Sequence, residues 1–333
     1  MKNFLMQNKF SIILIIFLIV FVGIMKWREC SSSINKLVKD PCVIMTIEHG
    51  LVDQLEFFVV GQQIKKLGYK VKYDISWYKN VGHASDPKKS VDSRSLQLLK
   101  AFPYIEFDMA SDEEIKLYKE NFAFCVDSKH QKRSWRFGKK IKPPIYISVE
   151  NIDWWNLCQD VSADILRFGS EDTALNNCSK YFHFEDSIMG GVNTKILERI
   201  RKAKHSIGVH VRRGDDARHG AATSLDYFLK AVKKAKELFP NSYFFFFSDE
   251  PEYVKDNIFT KLGSDIRKEI INVNDVDSCY KDLFLMSECK HQIRSQGSMG
   301  AIAYLLNKYS GKKLIAPARV RMYSNIKPDI VID

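Results

Sequence analysis

Two spacings of apolar side chains organise this chain. Cys42 to Ile47 is an unbroken apolar run and Tyr69 to Asp74 alternates, so both predict strands. Between them, Leu51, Leu55, Phe58 and Val59 share one face of a helix spanning Leu51 to Leu67, and Gly68 stands where a helix-ending glycine belongs. Strand, helix and strand in that order predict a βαβ unit. From Ile75 to Lys142 the pattern is irregular, with Pro103 inside it, Pro143 and Pro144 closing it and one short helix at Asp112 to Tyr118. Ile145 to Val149 predicts a further strand. From Asn193 the pattern is regular again. A helix to Lys204 is followed by a strand in which Ile207, Val209 and Val211 alternate with Gly208, His210 and Arg212. Thr223-x-x-Asp226 predicts the cap of a helix carrying Leu225, Phe228, Leu229, Val232 and Leu238, stopped by Pro240. Strands at Ser242–Phe247, Glu269–Val273, His291–Ser295 and Leu314–Ala316 enclose helices at Tyr280–Glu288 and Ala301–Asn307. Alternation of this kind predicts an α/β fold with parallel strands and helices on both faces.

Length changes the picture first. At 333 residues the chain exceeds one typical core, which predicts two domains. Charge changes it next. The formal net charge is +11, and the excess is local. Residues 129–142 hold seven Lys and Arg with no acid, and residues 195–213 hold seven against one Glu198. Such patches attract anions. No nucleic-acid module is present and the aromatics do not interleave with the basic runs. The partners expected are therefore an anionic small molecule and a membrane surface, with no nucleic acid. Seven scattered cysteines form no C-x-x-C and no zinc spacing, so reduced thiols are expected.

Phe10 to Met25 is apolar except for Ser11 and Gly23, and no small-residue cleavage site follows it. It predicts an uncleaved transmembrane anchor at residues 10–26, after a short tail (1–9) and before a polar stem (27–40). A single-pass membrane protein is expected. Lys26, Arg28, Lys36 and Lys39 after the segment, against Lys2 and Lys9 before it, favour a cytoplasmic body, as in a bacterium. The weak sequon Asn177-Cys178-Ser179 leaves a Golgi type II topology open.

The chemistry collects where strands end. The Ile207–Val211 strand runs into Arg212-Arg213-Gly214-Asp215, the next into Ser248-Asp249, and the His291 strand into Ser295 and a Gly297-Ser298-Met299-Gly300 turn that opens a helix. Open α/β sheets bind ligands beyond the carboxyl ends of their strands. Arginine forks match phosphate oxygens, and a helix N-terminus favours an anion. Together they predict a diphosphate held from two sides, with Asp249 accepting from a base or ribose. Asp275-Val276-Asp277 is a literal D-x-D, the spacing with which metal-dependent glycosyltransferases hold Mn²⁺, and so an alternative site.

His210-Val211-Arg212-Arg213-Gly214-Asp215 resembles the H-x-R-R-G-D motif of the α-1,2-fucosyltransferase family (glycosyltransferase family 11) and its α-1,6 and protein O-fucosyltransferase relatives. Phe246-Phe247-Ser248-Asp249 resembles the second block of that family. The third is resembled by residues 282–291 with Gly297-Ser298-Met299-Gly300 and Ala303-Tyr304-Leu305. Gly50-Leu51-Val52-Asp53-Gln54 is similar to a degraded G-x-L/F-G-N-Q, with Asp53 where the family has asparagine and Val52 where it has glycine; Asp216 stands where an aromatic is common. The resemblance implies a GT-B-like architecture of two Rossmann-like domains, an acceptor-side domain at 41–190 and a GDP-sugar-binding domain at 191–333. It implies an inverting transfer of L-fucose from GDP-β-L-fucose to a galactose hydroxyl of a glycan, O2 for an α-1,2 linkage, with no metal or other cofactor. Arg212 and Arg213 would hold the pyrophosphate, supported by Asp215 and His210. Ser295 and Ser298 would touch phosphate, with Gly297 in their turn, and Ser248 and Asp249 would lie near the nucleoside. Asp53, His49 and Glu48 are candidate bases by position. A membrane-anchored glycan-binding protein on a decayed transferase fold is the competing class, motivated by Asp53.

Overall fold

The computed structural model describes residues 38, 40–66, 68–80, 94–121, 144–148, 181–218, 220–320 and 326–333. Among these no helix is long and apolar enough to cross a membrane. The anchor expected at residues 10–26 lies outside the described residues, as do the basic run 129–142 and the 177–179 sequon.

The described chain builds two parallel sheets. In the first, β1 (Val43–Thr46) lies between β2 (Val71–Asp74) and β3 (Ile145–Ile147). Helix α1 (Leu51–Lys66) makes the crossover from β1 to β2. Three short helices follow: α2 (Ser76–Asn80), α3 (Leu98–Ala101) and α4 (Asp112–Asn121). The second sheet begins after α5 (Gly191–Lys202) with β4 (His205–Val211), a short α6 (Gly214–Arg218), α7 (Leu225–Leu238) and β5 (Ser242–Ser248). It continues through a helical run over residues 251–261, β6 (Arg267–Ile271), α8 (Cys279–Glu288), β7 (His291–Ile293), α9 (Ser298–Leu306), β8 (Leu314–Pro317) and β9 (Ile330–Ile332).

The strand order of the second sheet is β6-β5-β4-β7-β8-β9, all parallel. Counted from β4, this is the 3-2-1-4-5-6 order of doubly wound sheets. Its switch point lies between β4 and β7, where ligands bind. The burial pattern explains why these strands read as unbroken apolar runs. Phe244 and Phe246 of β5 pack on one side with Ile207, Val209 and Val211 of β4 and with Phe228 and Val232 of α7. Phe245 and Phe247 pack on the other side. A strand buried on both faces has no polar alternation to show. Gly208 sits where β4 runs close to Cys289 and β7, since a side chain there would begin 2.7 Å from Gln292 Oε1 and 3.3 Å from Cys289 Cβ.

Helix α1 differs from its one-sided expectation. Leu51, Leu55, Phe57, Phe58, Val59, Val60 and Ile64 are all buried, so the helix is apolar on nearly every side. One cluster joins these side chains to Phe245, Phe247, Leu283, Phe284, Leu285, Met286 and Ile302 of the second sheet's layer. The two sheets therefore share a core.

Several sequence expectations shift. Ser224, not Thr223, caps α7 by accepting from the Tyr227 N–H (3.2 Å), and Thr223 Oγ1 accepts from Gln296 N–H instead. Two adjacent hydroxyl residues compete for one cap, and the loop decides. The His291 strand stops at Ile293, and α9 begins at Ser298, three residues earlier than its apolar pattern. β6 starts at Arg267 because edge-strand pairing admits its polar first residues.

Candidate functional site

The carboxyl ends of β1, β4 and β7 face one cleft of ≈ 390 Å³. One wall is Gly50, Leu51, Val52 and Asp53 at the start of α1, with Arg94, Ser95 and Gln97. The other is His210, Arg212 and Asp216 after β4, with Gln296, Gly297, Ser298 and Met299 at the start of α9; Val276 and Cys279 close the end.

The loop after β4 is stitched to the loop after β7. Ser295 is buried, its N–H donates to the His210 carbonyl (3.1 Å), and its Oγ accepts from the Arg212 N–H (3.2 Å). The same Oγ lies 3.2 Å from His210 Nδ1. Burial, with Arg212 and Arg294 nearby, pushes the His210 pKa down to about 3, so the ring is neutral. Glycines let this turn close. A side chain at Gly297 would begin 3.1 Å from Arg212 Cβ, and one at Gly300 would begin 3.0 Å from His210 Cβ.

Of the residues singled out from sequence, Asp53, His210, Arg212, Gly297 and Ser298 line the cleft. Arg212 Nη1 holds Asp249 Oδ2 at 2.6 Å, and Asp249 Oδ1 also accepts from the Arg213 N–H. Asp249 is thus spent on the arginine loop. The Arg213 side chain does not line the cleft. Its Nε pairs with Glu250 (2.9 Å) and its guanidinium stacks 3.5 Å from the centre of the Tyr253 ring. Ser248 Oγ donates to the Val211 carbonyl (2.8 Å) and accepts from Glu250 N–H. Ser248 and Ser295 both stand behind the wall. Asp215 lies in α6, and its side chain is outside the described residues. The Asp275 carboxylate accepts from Ser278 Oγ (2.5 Å) and from Asp277 N–H (3.1 Å), closing a turn before α8. Among the described residues no group of three His, Cys, Asp or Glu is placed to hold a metal ion.

Comparison with known proteins fits this geometry. The profile described as Glycosyl transferase family 11 matches residues 176–325, which contain β4, β7 and both of their loops. This segment, similar to family 11, also holds the arginine loop and the Gly297 turn. An alpha-1,2-colitosyltransferase of Escherichia coli is 28% identical over 194 residues, 55% of this chain; the chain spans 60% of that relative's length. Two solved structures share the fold at 15% identity. One is the NodZ alpha-1,6-fucosyltransferase co-crystallised with GDP, with a TM-score of 0.52 over 81% of this chain and 93% of that one. The other is fucosyltransferase NodZ from Bradyrhizobium, with a TM-score of 0.51 over 81% and 94%.

The family 11 segment supplies one wall of the cleft; the other wall carries what sequence reasoning missed. Gln54 is fully buried and its amide is saturated. Nε2 donates to the carbonyls of His49 (3.2 Å) and Ser95 (3.0 Å), and Oε1 accepts from the N–H groups of Gln97 and Leu98, both at 2.9 Å. Gln97 then reaches the family 11 segment. Its Nε2 donates to the Val276 carbonyl (2.6 Å), and its Oε1 accepts from Tyr280 N–H (3.2 Å) and Cys279 Sγ (3.2 Å). His49 holds a left-handed backbone (φ 63°), an uncommon conformation for a residue with a side chain. Its carbonyl accepts from Gln54 and Tyr78. Asp53 accepts from Gly50 N–H (3.2 Å) as the third residue of α1, the reciprocal half of a capping box. Burial raises its pKa, opposed by His49, that N–H and Arg94. Arg294 is buried beneath the Gly297 turn, donating from Nε to the Ser295 carbonyl (3.1 Å) and from Nη2 to the Gly297 carbonyl (3.4 Å). Burial lowers its pKa to about 10, so it stays charged near neutrality and adds positive potential behind the turn.

Proposed function

We propose that this chain is an inverting fucosyltransferase that moves L-fucose from GDP-β-L-fucose to a galactose hydroxyl of a glycan, O2 for an α-1,2 linkage. One observation carries the reading: Arg212 and the Gly297–Ser298 helix start share one cleft wall at the switch point of a doubly wound sheet. That arrangement favours charge on a leaving diphosphate, which is the main electrostatic task in sugar transfer from a nucleotide. The two parallel sheets with the cleft between them support a GT-B-like reading, with residues 41–190 on the acceptor side and 191–333 on the donor side. Arg212 and Ser298 hold the diphosphate, and His210 and Ser295 set the shape of the loop. Asp53 takes the proton from the attacking hydroxyl. Its raised pKa and its place on the opposite wall suit a base. No metal is required in this scheme.

Fucosyl transfer is tested by release of GDP from GDP-fucose with a panel of galactosyl acceptors, with and without EDTA. Turnover that EDTA leaves intact is the expected result. Loss that Mn²⁺ restores would return the D-x-D reading, and no transfer to any acceptor would favour the glycan-binding alternative. The 28% identity to a colitosyltransferase supports a second reading, in which colitose is the sugar moved; a colitosyl donor is the second arm of the assay.

A further inference from the structure

A diphosphate carries at least two negative charges, and the cleft offers it less positive charge than the sequence suggests. Arg213 faces Glu250 and Tyr253 and does not line the cleft. Arg212 lines it, but shares its charge with Asp249 at 2.6 Å. Asp53 and Asp216 add two carboxylates to the lining. On the opposite wall stands Arg94, whose charge acts on Asp53; no salt bridge or hydrogen bond joins it to another described residue.

The backbone next to Arg94 is held in place. Its neighbour Ser95 is held through its carbonyl by Gln54, and the N–H groups of Gln97 and Leu98 are held by the same side chain. The guanidinium lies beside Gly50 and Asp53: a side chain at Gly50 would begin 3.4 Å from Arg94 Nη1 and 3.7 Å from Asp53 Oδ2, ordinary contact distances. With that backbone already ordered, only the Arg94 side chain has to be ordered when an anion binds.

Resting on the nucleotide-sugar reading above, we propose that Arg94 is the second guanidinium of the diphosphate site, opposite Arg212, in the place that Arg213 does not fill. The donor is then gripped by both halves of the molecule, and its affinity depends on a residue outside the family 11 segment.

The test is calorimetric titration of the full chain with GDP and, separately, with inorganic pyrophosphate. R94M is expected to weaken both ligands by about 10–100-fold, the range for a lost charge-assisted hydrogen bond, with R94K between R94M and the parent. R213M is expected to stay within about threefold. If R94M fails to fold, R94K carries the test with an expected loss of about threefold or more. GDP and pyrophosphate affinities unchanged in R94M or R94K overturn the proposal, as would unchanged affinity with a shifted pH profile, which would assign Arg94 to Asp53 instead. A parent chain that binds pyrophosphate but not GDP, with the loss in R94M intact, keeps the anion site and sinks the GDP reading. A parent that binds neither overturns both.

Discussion

Arg212 and Arg213 are adjacent in sequence and serve different ends. Arg212 directly follows β4 and continues the alternation that carries His210, and its side chain lines the cleft. Arg213, one residue further from the strand, turns to a Tyr253 ring supplied by a helical run that the sequence pattern does not show. Arg212→Ala is expected to lower kcat by about 10²–10³-fold, the range for removing one donor to developing charge. Folding should change little, because the Asp249 carboxylate left behind is part-exposed and can be hydrated. Arg212→Lys keeps the charge but loses the fork, and should recover part of the rate. A kcat for the alanine variant within threefold of the parent would remove Arg212 from the mechanism.

Among the elements, β4 is legible because its alternation is clean, β5 because it is an unbroken apolar run, and the turn into α9 because Gly297 and Gly300 mark a close approach. Gln54 was visible only as the last residue of a degraded motif. What it does depends on partners 41 to 44 residues away, and Gln97 reaches 179 residues, to Val276. No local pattern encodes such contacts. Arg94 and Gln97 lie in an irregular stretch without periodicity, so their place in the cleft was hidden. β9 and the short α2 and α6 were hidden too: Ile330–Ile332 is a part-exposed edge strand, and each helix is five residues long, little more than one turn. Gln54→Ala would leave two buried carbonyl acceptors and two N–H donors without this partner. Each unsatisfied buried group costs about 1–3 kcal/mol, with partial relief from water, so a loss of several kcal/mol is expected. Urea unfolding measures it; Gln54→Glu, which keeps the acceptor only, should fall between. A loss under about 1 kcal/mol would mean that the 94–98 segment is held by other means.

At the scale of the whole molecule, acid and base act on different buried groups. Burial pushes the Asp282 pKa up to about 7, with Asn274 Nδ2 donating to it at 2.7 Å. The folded state therefore keeps a proton that the unfolded chain gives up above about 3.8. Stability from this group is full below that value and is lost as pH rises through 7. His210 and His291 act in the opposite sense. Both are buried neutral, at about 3 and about 4, while the unfolded chain takes up protons below 6.5, so stability is lost as pH falls from there. Asp282→Asn keeps the acceptor for Asn274 and removes the titration. Its stability relative to the parent, from urea unfolding between pH 4 and pH 8, should rise across that range and level off above about 7. A constant difference across the range would mean that Asp282 is ionised throughout.

The core shared by the two sheets has a consequence for descent. Transferases that recruit new acceptors by trading one lobe for another need a seam along which lobes can part. Here Phe58 of α1 belongs to the same apolar cluster as Phe245 of β5 and Leu283 of α8. A graft of foreign sequence onto the first sheet would have to match that cluster side chain by side chain. Novelty in this lineage is therefore expected to come from substitutions along the cleft rim, with the lobes inherited together.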